Sequence, residues 1–350
     1  MTGAAYVTGR VSTPAGDVPR VPARLTWRDR LGTVMVRWAM GRMEYTVEPG
    51  LYAVGSPTSD SPVLVSANYK LSFDHLRGNL GGLDAWILVL DTKGINVWCA
   101  AGKGTFGTDE IVRRVASTRL AEVVTGRRLI IPQLGAPGVS AHEVTRQTRF
   151  GVVYGPVRAA DIGEFLRAGM KATAEMRRVR FGLVDRAVLI PVELVTGFKL
   201  ILGVAAVMVL LGGFVRWGYS VDRASASAPT VAALVLAAFL FPVILVPLLL
   251  PWLPGRAFAA KGAWLGVATA LGLYAAARAG MVHSGGRLEL YGWMTGGTAL
   301  ASFVAMNFTG ASTYTSLSGV YAEMKRAIPV QVALTVVAAV LWLAGRLTAA

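Results

Sequence analysis

Cys99 is the only cysteine in the chain, and it lies in a run of mostly small residues, Asn96-Val97-Trp98-Cys99-Ala100-Ala101-Gly102-Lys103. One thiol excludes an intrachain disulfide framework and, within these residues, any cysteine-held iron–sulfur cluster or cysteine-rich zinc site. It can still give a single soft bond to a late transition metal whose other ligands come from elsewhere. Ala100, Ala101 and Gly102 would let the backbone lie close to a broad, flat ligand that larger side chains would hold away. Two other readings stand beside this one. A lone cysteine after a buried strand is commonly a small buried hydrophobe. A phosphate loop at Gly102-Lys103 fails, because Val97 stands where glycine is needed and Gly104 where serine or threonine is needed.

The elements that must position this run are those of an alternating strand and helix pattern. Val63-Leu64-Val65 reads as a short buried strand, followed by a loop at Asn68-Tyr69-Lys70 and a helix over Phe73 to Leu80. Ala85 to Leu90 is a second buried strand, and Asp91 opens the loop that carries Cys99. A helix is expected after it, with Thr108 as N-cap, Asp109 and Glu110 favouring the dipole, and an end at Gly126. Leu129-Ile130-Ile131 and Val152-Val153-Tyr154 supply two more strands. The pattern predicts an α/β domain with a mostly parallel sheet. Ligands of such sheets sit beyond the carboxyl ends of the strands. That rule makes Asn68, Tyr69, Gln133, Gly135, Gly138 and Tyr154 candidates alongside the cysteine loop.

Composition divides the chain. Of 350 residues, 54% are hydrophobic and 16% charged, too apolar on average for an ordinary soluble domain. Residues 1–186 hold 25 of the 35 basic and 16 of the 20 acidic side chains. We therefore expect an N-terminal arm over 1–45, an α/β domain over 46–186, and an all-α transmembrane domain over 187–350. Five apolar stretches, near 195–215, 230–250, 262–281, 291–308 and 328–346, are each long enough to span a bilayer. The densest basic stretch, Arg167 to Arg186, immediately precedes the first of them, which favours a juxtamembrane collar over nucleic-acid binding. With no apolar signal segment in the first 30 residues, the polar domain is expected in the cytoplasm. Glu193, Lys199, Arg278 and His283 near the spans read as snorkelling side chains before they read as an ion pathway.

The run Asn96 to Lys103 resembles, at every position, the signature of the mercury-methylating corrinoid proteins. Residues 62–160 are similar to the corrinoid-binding domain of the large subunit of the corrinoid iron–sulfur protein, a Rossmann- or flavodoxin-like fold. The five-span tail resembles the family more loosely, including the hydroxyl-rich segment Asn307 to Ser316. The resemblance implies a corrinoid cofactor, cobalamin or pseudocobalamin, with Cys99 as the lower axial ligand of its cobalt on a short capping helix. Thr92, Gly94, Asn96, Val97, Trp98, Ala100, Ala101, Gly102 and Lys103 would then line the corrinoid. It also implies a methyltransferase that passes a methyl group from protein-bound methyl-cob(III)alamin to inorganic Hg(II). Implied partners are a methyltetrahydrofolate-dependent donor system and a ferredoxin-like iron–sulfur protein that reduces cobalt and carries Hg(II) on its own cysteines. Membrane lipid is a further expected partner; nucleic acid is not.

Three rival functions make different demands. A membrane-anchored corrinoid methyl carrier for carbon metabolism would keep the cofactor and change the acceptor. A transporter with a cytosolic regulatory domain would bind no cobalt. A tethered scaffold would be indifferent to Cys99→Ala.

Overall fold

The structure, a computed structural model, describes residues 6–216, 218–281, 286–308 and 317–348. They fall into two units, one of residues 1–36 and 40–180 and one of residues 37–39 and 181–350.

The first unit is built on a seven-stranded sheet. Its elements are β1 (Gly9–Thr13), β2 (Gly16–Val21), α1 (Trp27–Arg37), β3 (Gly50–Val54), β4 (Val63–Ala67), α2 (Lys70–Arg77), β5 (Ala85–Leu90), α3 (Val97–Lys103), α4 (Thr108–Ser117), α5 (Leu120–Val123), β6 (Arg128–Ile131), α6 (Ala141–Thr148), β7 (Gly151–Tyr154) and α7 (Ile162–Arg167). The strand order is β1-β2-β3-β5-β4-β6-β7. Four of the six pairings are parallel; β1 with β2 and β3 with β5 are antiparallel. Strands β4 and β5 are buried throughout, so both of their faces need apolar cover. Alternation assigns the faces: Val63, Val65, Trp86, Leu88 and Leu129 enter one core with Phe106, Ile111 and Val144. Leu64, Ile87, Val89 and Ile130 enter the other with Phe73, Leu76 and Phe165. The result is three layers, helices on both sides of one sheet.

Several expectations need correction. Residues 9–21, expected within an arm outside the core, form the β1–β2 hairpin at the sheet edge, with Val18 and Val21 buried. Strand β3, which the sequence reading passed over, joins that hairpin to β5. The helix expected to run from 108 to Gly126 stops at Ser117, because the Thr118 hydroxyl donates to the Arg114 carbonyl at 2.8 Å and Arg119 turns left-handed at φ 48°. Gly107, not Thr108, precedes its first turn.

Helix α1 is held to the domain by charge. Thr26 and Asp29 form a reciprocal cap, the Asp29 carboxylate accepting from Thr26 N at 2.9 Å and the Thr26 hydroxyl from Asp29 N at 3.3 Å. Asp29 then meets Lys70 Nζ at 2.7 Å and Arg77 Nη2 at 2.9 Å, and Asp74 meets the same two cations at 2.6 and 2.8 Å. Arg77 is fully buried and also donates to the Pro22 carbonyl at 2.7 Å. Burial alone would raise the Asp29 carboxyl, but hydrogen bonds from Lys70, Thr26 and Arg77 outweigh it and hold the group far below the usual carboxylate range. Burial works against the Lys70 charge as well, and Asp29 and Asp74 reverse the balance, leaving its pKa above the ordinary value.

In the second unit the long helices are α9 (Ile190–Leu211), α10 (Val221–Leu249), α11 (Phe258–Arg278), α12 (Arg287–Asn307) and α13 (Leu317–Thr348), after the short α8 (Leu183–Ala187). Among the described residues, three segments are long and apolar enough to cross a membrane: Leu183–Leu211, Val221–Leu249 and Ser318–Thr348. The expected third and fourth spans fall on α11 and α12, which carry Lys261, Arg287 and Glu289 and many glycines. Those glycines serve close packing: a Cβ on Gly266 would lie 2.6 Å from Thr298 Cα, and one on Gly292 would lie 2.8 Å from Trp342. Arg186, the last residue of the expected juxtamembrane collar, is buried and donates to the Pro247 and Leu248 carbonyls at 3.0 Å. Lys199 is exposed on α9 and Arg278 closes α11, whereas His283 and residues 309–316 lie outside the described residues.

The α1 network predicts a two-sided pH profile for the first unit. Stability from the depressed Asp29 is present above its unfolded pKa, about 3.9, and is lost as pH falls through the folded value; stability from the raised Lys70 is present below about 10.4 and is lost as pH rises through its folded value. Asp29→Ala leaves Lys70 and Arg77 short of a counter-charge and should cost roughly 3–5 kcal/mol, read by pulse proteolysis of the full chain in detergent. An unchanged protease midpoint would show that the network contributes nothing.

Candidate functional site

Strands β4, β5, β6 and β7 run parallel, so their carboxyl ends share one edge. Asn68 directly follows β4 there and is buried. Its Oδ1 accepts from Thr92 N at 3.1 Å, Thr92 Oγ1 at 2.8 Å and Gly94 N at 3.0 Å. The single Thr92 hydroxyl proton is shared between Asn68 Oδ1 and the Ile95 carbonyl, which lies 2.7 Å away. Lys93 and Gly94 both adopt left-handed backbone, φ 58° and 71°, and turn the chain back toward α3. A Cβ on Gly94 would meet the Met43 carbonyl and the Thr46 methyl, so only glycine fits at that turn.

The next link is electrostatic. Glu110, buried on α4, accepts from Asp91 N at 2.8 Å and pairs with Arg113 and Arg114. The Lys93 ammonium, 2.7 Å from Asp91, holds that exposed-edge carboxyl below the usual carboxylate range. Sequence reasoning gave Glu110 only a dipole role; its contact with Asp91 joins residues nineteen apart and has no local signature.

Helix α3 is capped by Asn96, whose Oδ1 accepts from Cys99 N at 2.9 Å, and ends at the left-handed Gly104. Seven residues of helix give it two faces. Ala100 and Ala101 are buried, and Val97 packs partly against the same core. Cys99 is half-buried, with Gly102 and Lys103, three and four positions on, exposed beside it. Trp98 is also half-buried. The small size of Ala100 and Ala101 therefore works inward and not, as expected, toward a ligand. The turn Gln133–Gly138 packs against them: a Cβ on Gly138 would sit 2.2 Å from the Phe106 carbonyl, just past α3, and 3.1 Å from both Ala101 Cα and Ala101 O. Gly135 is likewise pressed on the Phe106 ring, 2.5 Å from a hypothetical Cβ. The Thr108 hydroxyl, expected to cap α4, accepts from Ser140 N at 2.9 Å instead, and the Tyr154 hydroxyl donates to the Val139 carbonyl at 3.0 Å.

The loops after β4, β5 and β6 are thus tied into one assembly around α3, with Tyr154 at the end of β7 bracing the loop after β6. Two candidates face other partners. Gln133 accepts from Arg177 at 2.8 Å, and Tyr69 is buried in an edge-to-face contact with Tyr45, ring centroids 6.5 Å apart. Among the described residues, no group of three or more His, Cys, Asp or Glu could hold a metal ion. The donor set near α3 is one sulfur, which suits a metal that arrives with its equatorial ligands in place.

Residues 25–166 match the family described as CO dehydrogenase/acetyl-CoA synthase delta subunit. The acetyl-CoA decarbonylase/synthase complex subunit gamma of Methanopyrus kandleri is 34% identical over 122 residues, 34% of this chain and 26% of that protein. Its counterpart from Archaeoglobus fulgidus is 33% identical over 127 residues, 36% of this chain and 27% of that protein. The corrinoid/iron-sulfur protein large subunit of Moorella thermoacetica is 29% identical over 148 residues, 42% of this chain and 31% of that protein. The chain spans about a quarter of the length of the gamma subunits.

Asn68→Ala would leave the Thr92 and Gly94 amides without their acceptor in a buried loop, at a cost of roughly 1–3 kcal/mol for each. Hydrogen exchange over 91–103 should accelerate while β4 and β5 stay protected. Uniform exchange across the unit, or none, would refute a local role for Asn68. Gly138→Ala should displace α3 and expose Cys99 to alkylation faster than in wild type, measured with a maleimide reagent; an unchanged rate would show that the turn yields instead.

Proposed function

We propose that the first unit binds a corrinoid and that the protein is a corrinoid-dependent methyltransferase whose acceptor is inorganic Hg(II), with Cys99 the lower axial ligand to cobalt. The observation that carries this reading is the single half-buried thiol, presented from a short capped helix at the ligand edge of a parallel sheet, in a segment with the Asn96 to Lys103 signature. The likeness to a corrinoid/iron-sulfur protein large subunit supports the cofactor. The residues present fit such a group, because a corrinoid brings four equatorial nitrogens and asks the protein for one axial donor.

When bound, a corrinoid supplies a cobalt centre that takes up and releases a methyl group. The chain's own residues set the conditions for it. Cys99 would hold the metal through an electron-rich sulfur, which would favour methyl transfer to an electrophile such as Hg(II). Asn96 fixes the first turn that carries the thiol, and Asn68 with Thr92 fixes the loop that leads into it. Gly102 and Lys103 form the exposed flank beside the sulfur. Asn68, Thr92, Gly94, Asn96 to Lys103, Gly135, Gly138 and Tyr154 either contact the cofactor or hold the wall behind it. Tyr69 and Gln133 would act from outside that wall.

Hg(II) seeks thiolates, and the one thiol here is assigned to cobalt. A cysteine-bearing iron–sulfur partner would therefore deliver the metal and return cobalt to its reduced state, and a methyltetrahydrofolate-dependent system would supply the methyl group. The membrane-length helices support a multi-pass membrane protein, and the basic stretch from Arg167 to Arg186 supports a cytoplasmic first unit. A carbon-metabolism acceptor is the second reading, favoured by the names of the gamma-subunit relatives.

The test is anaerobic purification of the full chain in detergent after expression with cobalamin. Wild type should carry stoichiometric cobalt, and Cys99→Ala and Cys99→His should each shift the visible spectrum. Methylmercury formed from Hg(II) with the reduced iron–sulfur partner would establish the acceptor. Bound corrinoid without methylmercury would favour the carbon-metabolism carrier, and folded wild type without cobalt would overturn both readings.

A further inference from the structure

Helix α1 carries its apolar surface on the wrong side for a soluble domain. Trp27, Leu31, Val34 and Met35 fall within one stripe about 100° wide and are 68%, 48%, 52% and 40% exposed. The opposite face points inward and is held by the ionic network: Asp29 is buried against Lys70 and Arg77. An ordinary surface helix buries its apolar stripe and exposes its charges, so the orientation here marks a binding surface.

The charges that border the stripe have one sign. Arg28 and Arg30 are exposed, Arg28 stacks over the Trp27 ring at 5.6 Å, and Arg37 ends the helix. The helix's one acid, Asp29, is consumed by the inner network. Tryptophan at the head of an apolar stripe, bordered by arginine, is the composition of a helix that lies in the headgroup region of a bilayer. Size points the same way. Eleven residues make a helix about 16 Å long, too small a patch for the roughly 800 Å² per partner of a stable protein interface. It is ample for a domain that shares its chain with membrane-length helices.

We propose that α1 is an interfacial anchor, its stripe from Trp27 to Met35 seated in the headgroup layer of an anionic membrane surface. The inference does not depend on the corrinoid reading. Its test places benzoylphenylalanine at Leu31 in the full chain, reconstituted in nanodiscs of phosphatidylcholine with or without phosphatidylglycerol. Photolysis should give a lipid adduct by mass spectrometry, with the yield rising on adding phosphatidylglycerol. In the anionic discs Arg30→Gln should lower that yield about fivefold, the equivalent of roughly 1 kcal/mol per basic residue at such a surface. The same probe at Asp60, in an exposed loop, should give no lipid adduct. Adducts to the protein's own chain, to a second copy or to an added acidic protein, or no lipid adduct in either disc, would overturn the proposal.

Discussion

One side-chain oxygen, Oδ1 of Asn68, fixes where the thiol can be. It gathers the Thr92 and Gly94 amides and the Thr92 hydroxyl from the loop after β5, and it does so from a buried position. Because Asn68 leaves β4 and the loop leaves β5, two adjacent parallel strands determine the height of α3 above the sheet edge. Glu110 closes the loop from its other side through Asp91 N, and Gly138 sets how near the next turn may come. A short helix has little stability of its own. Its geometry is borrowed from these contacts.

This arrangement explains why small residues cluster after Cys99. They let α3 lie against the turn Gln133–Gly138 with almost no side chain between, so a substitution on the buried face would move the exposed face. The sulfur's position is therefore decided by packing beneath it, a means of pre-organising one ligand without neighbouring ligands. It also separates roles within the signature: Asn96 caps, Ala100 and Ala101 pack, and Cys99, Gly102 and Lys103 remain outward.

The central strands were legible because β4, β5, β6 and β7 are short apolar runs bounded by turn residues, and their parallel order followed from the helices between them. The edge of the sheet was not. Strand β1 carries Arg10, Ser12 and Thr13, and β2 carries Asp17 and Arg20, so the hairpin lacks an apolar period. The break at Arg119 was hidden because Val123 and Val124 continue an apolar pattern after the helix has ended. At the site, residue types that line the ligand edge could be named from sequence, but their division into inward and outward could not. That division depends on pairs such as Asn68 with Thr92 and Gly138 with Ala101, which lie far apart in the chain.

The chain meets two needs by opposite devices. The site needs a fixed sulfur and obtains it mainly from the Asn68 and Asn96 side-chain amides and from contacts without side chains between them, with Glu110 bracing the loop from α4. Helix α1 needs to leave an apolar stripe uncovered and still stay attached, which apolar packing cannot do, because the stripe would be used in the attachment. Four charges, Asp29, Lys70, Asp74 and Arg77, solve that problem by carrying the attachment on the other face. A buried ionic network is seldom the more stable choice over apolar packing. Its use here follows from what the apolar residues of α1 are kept free to touch.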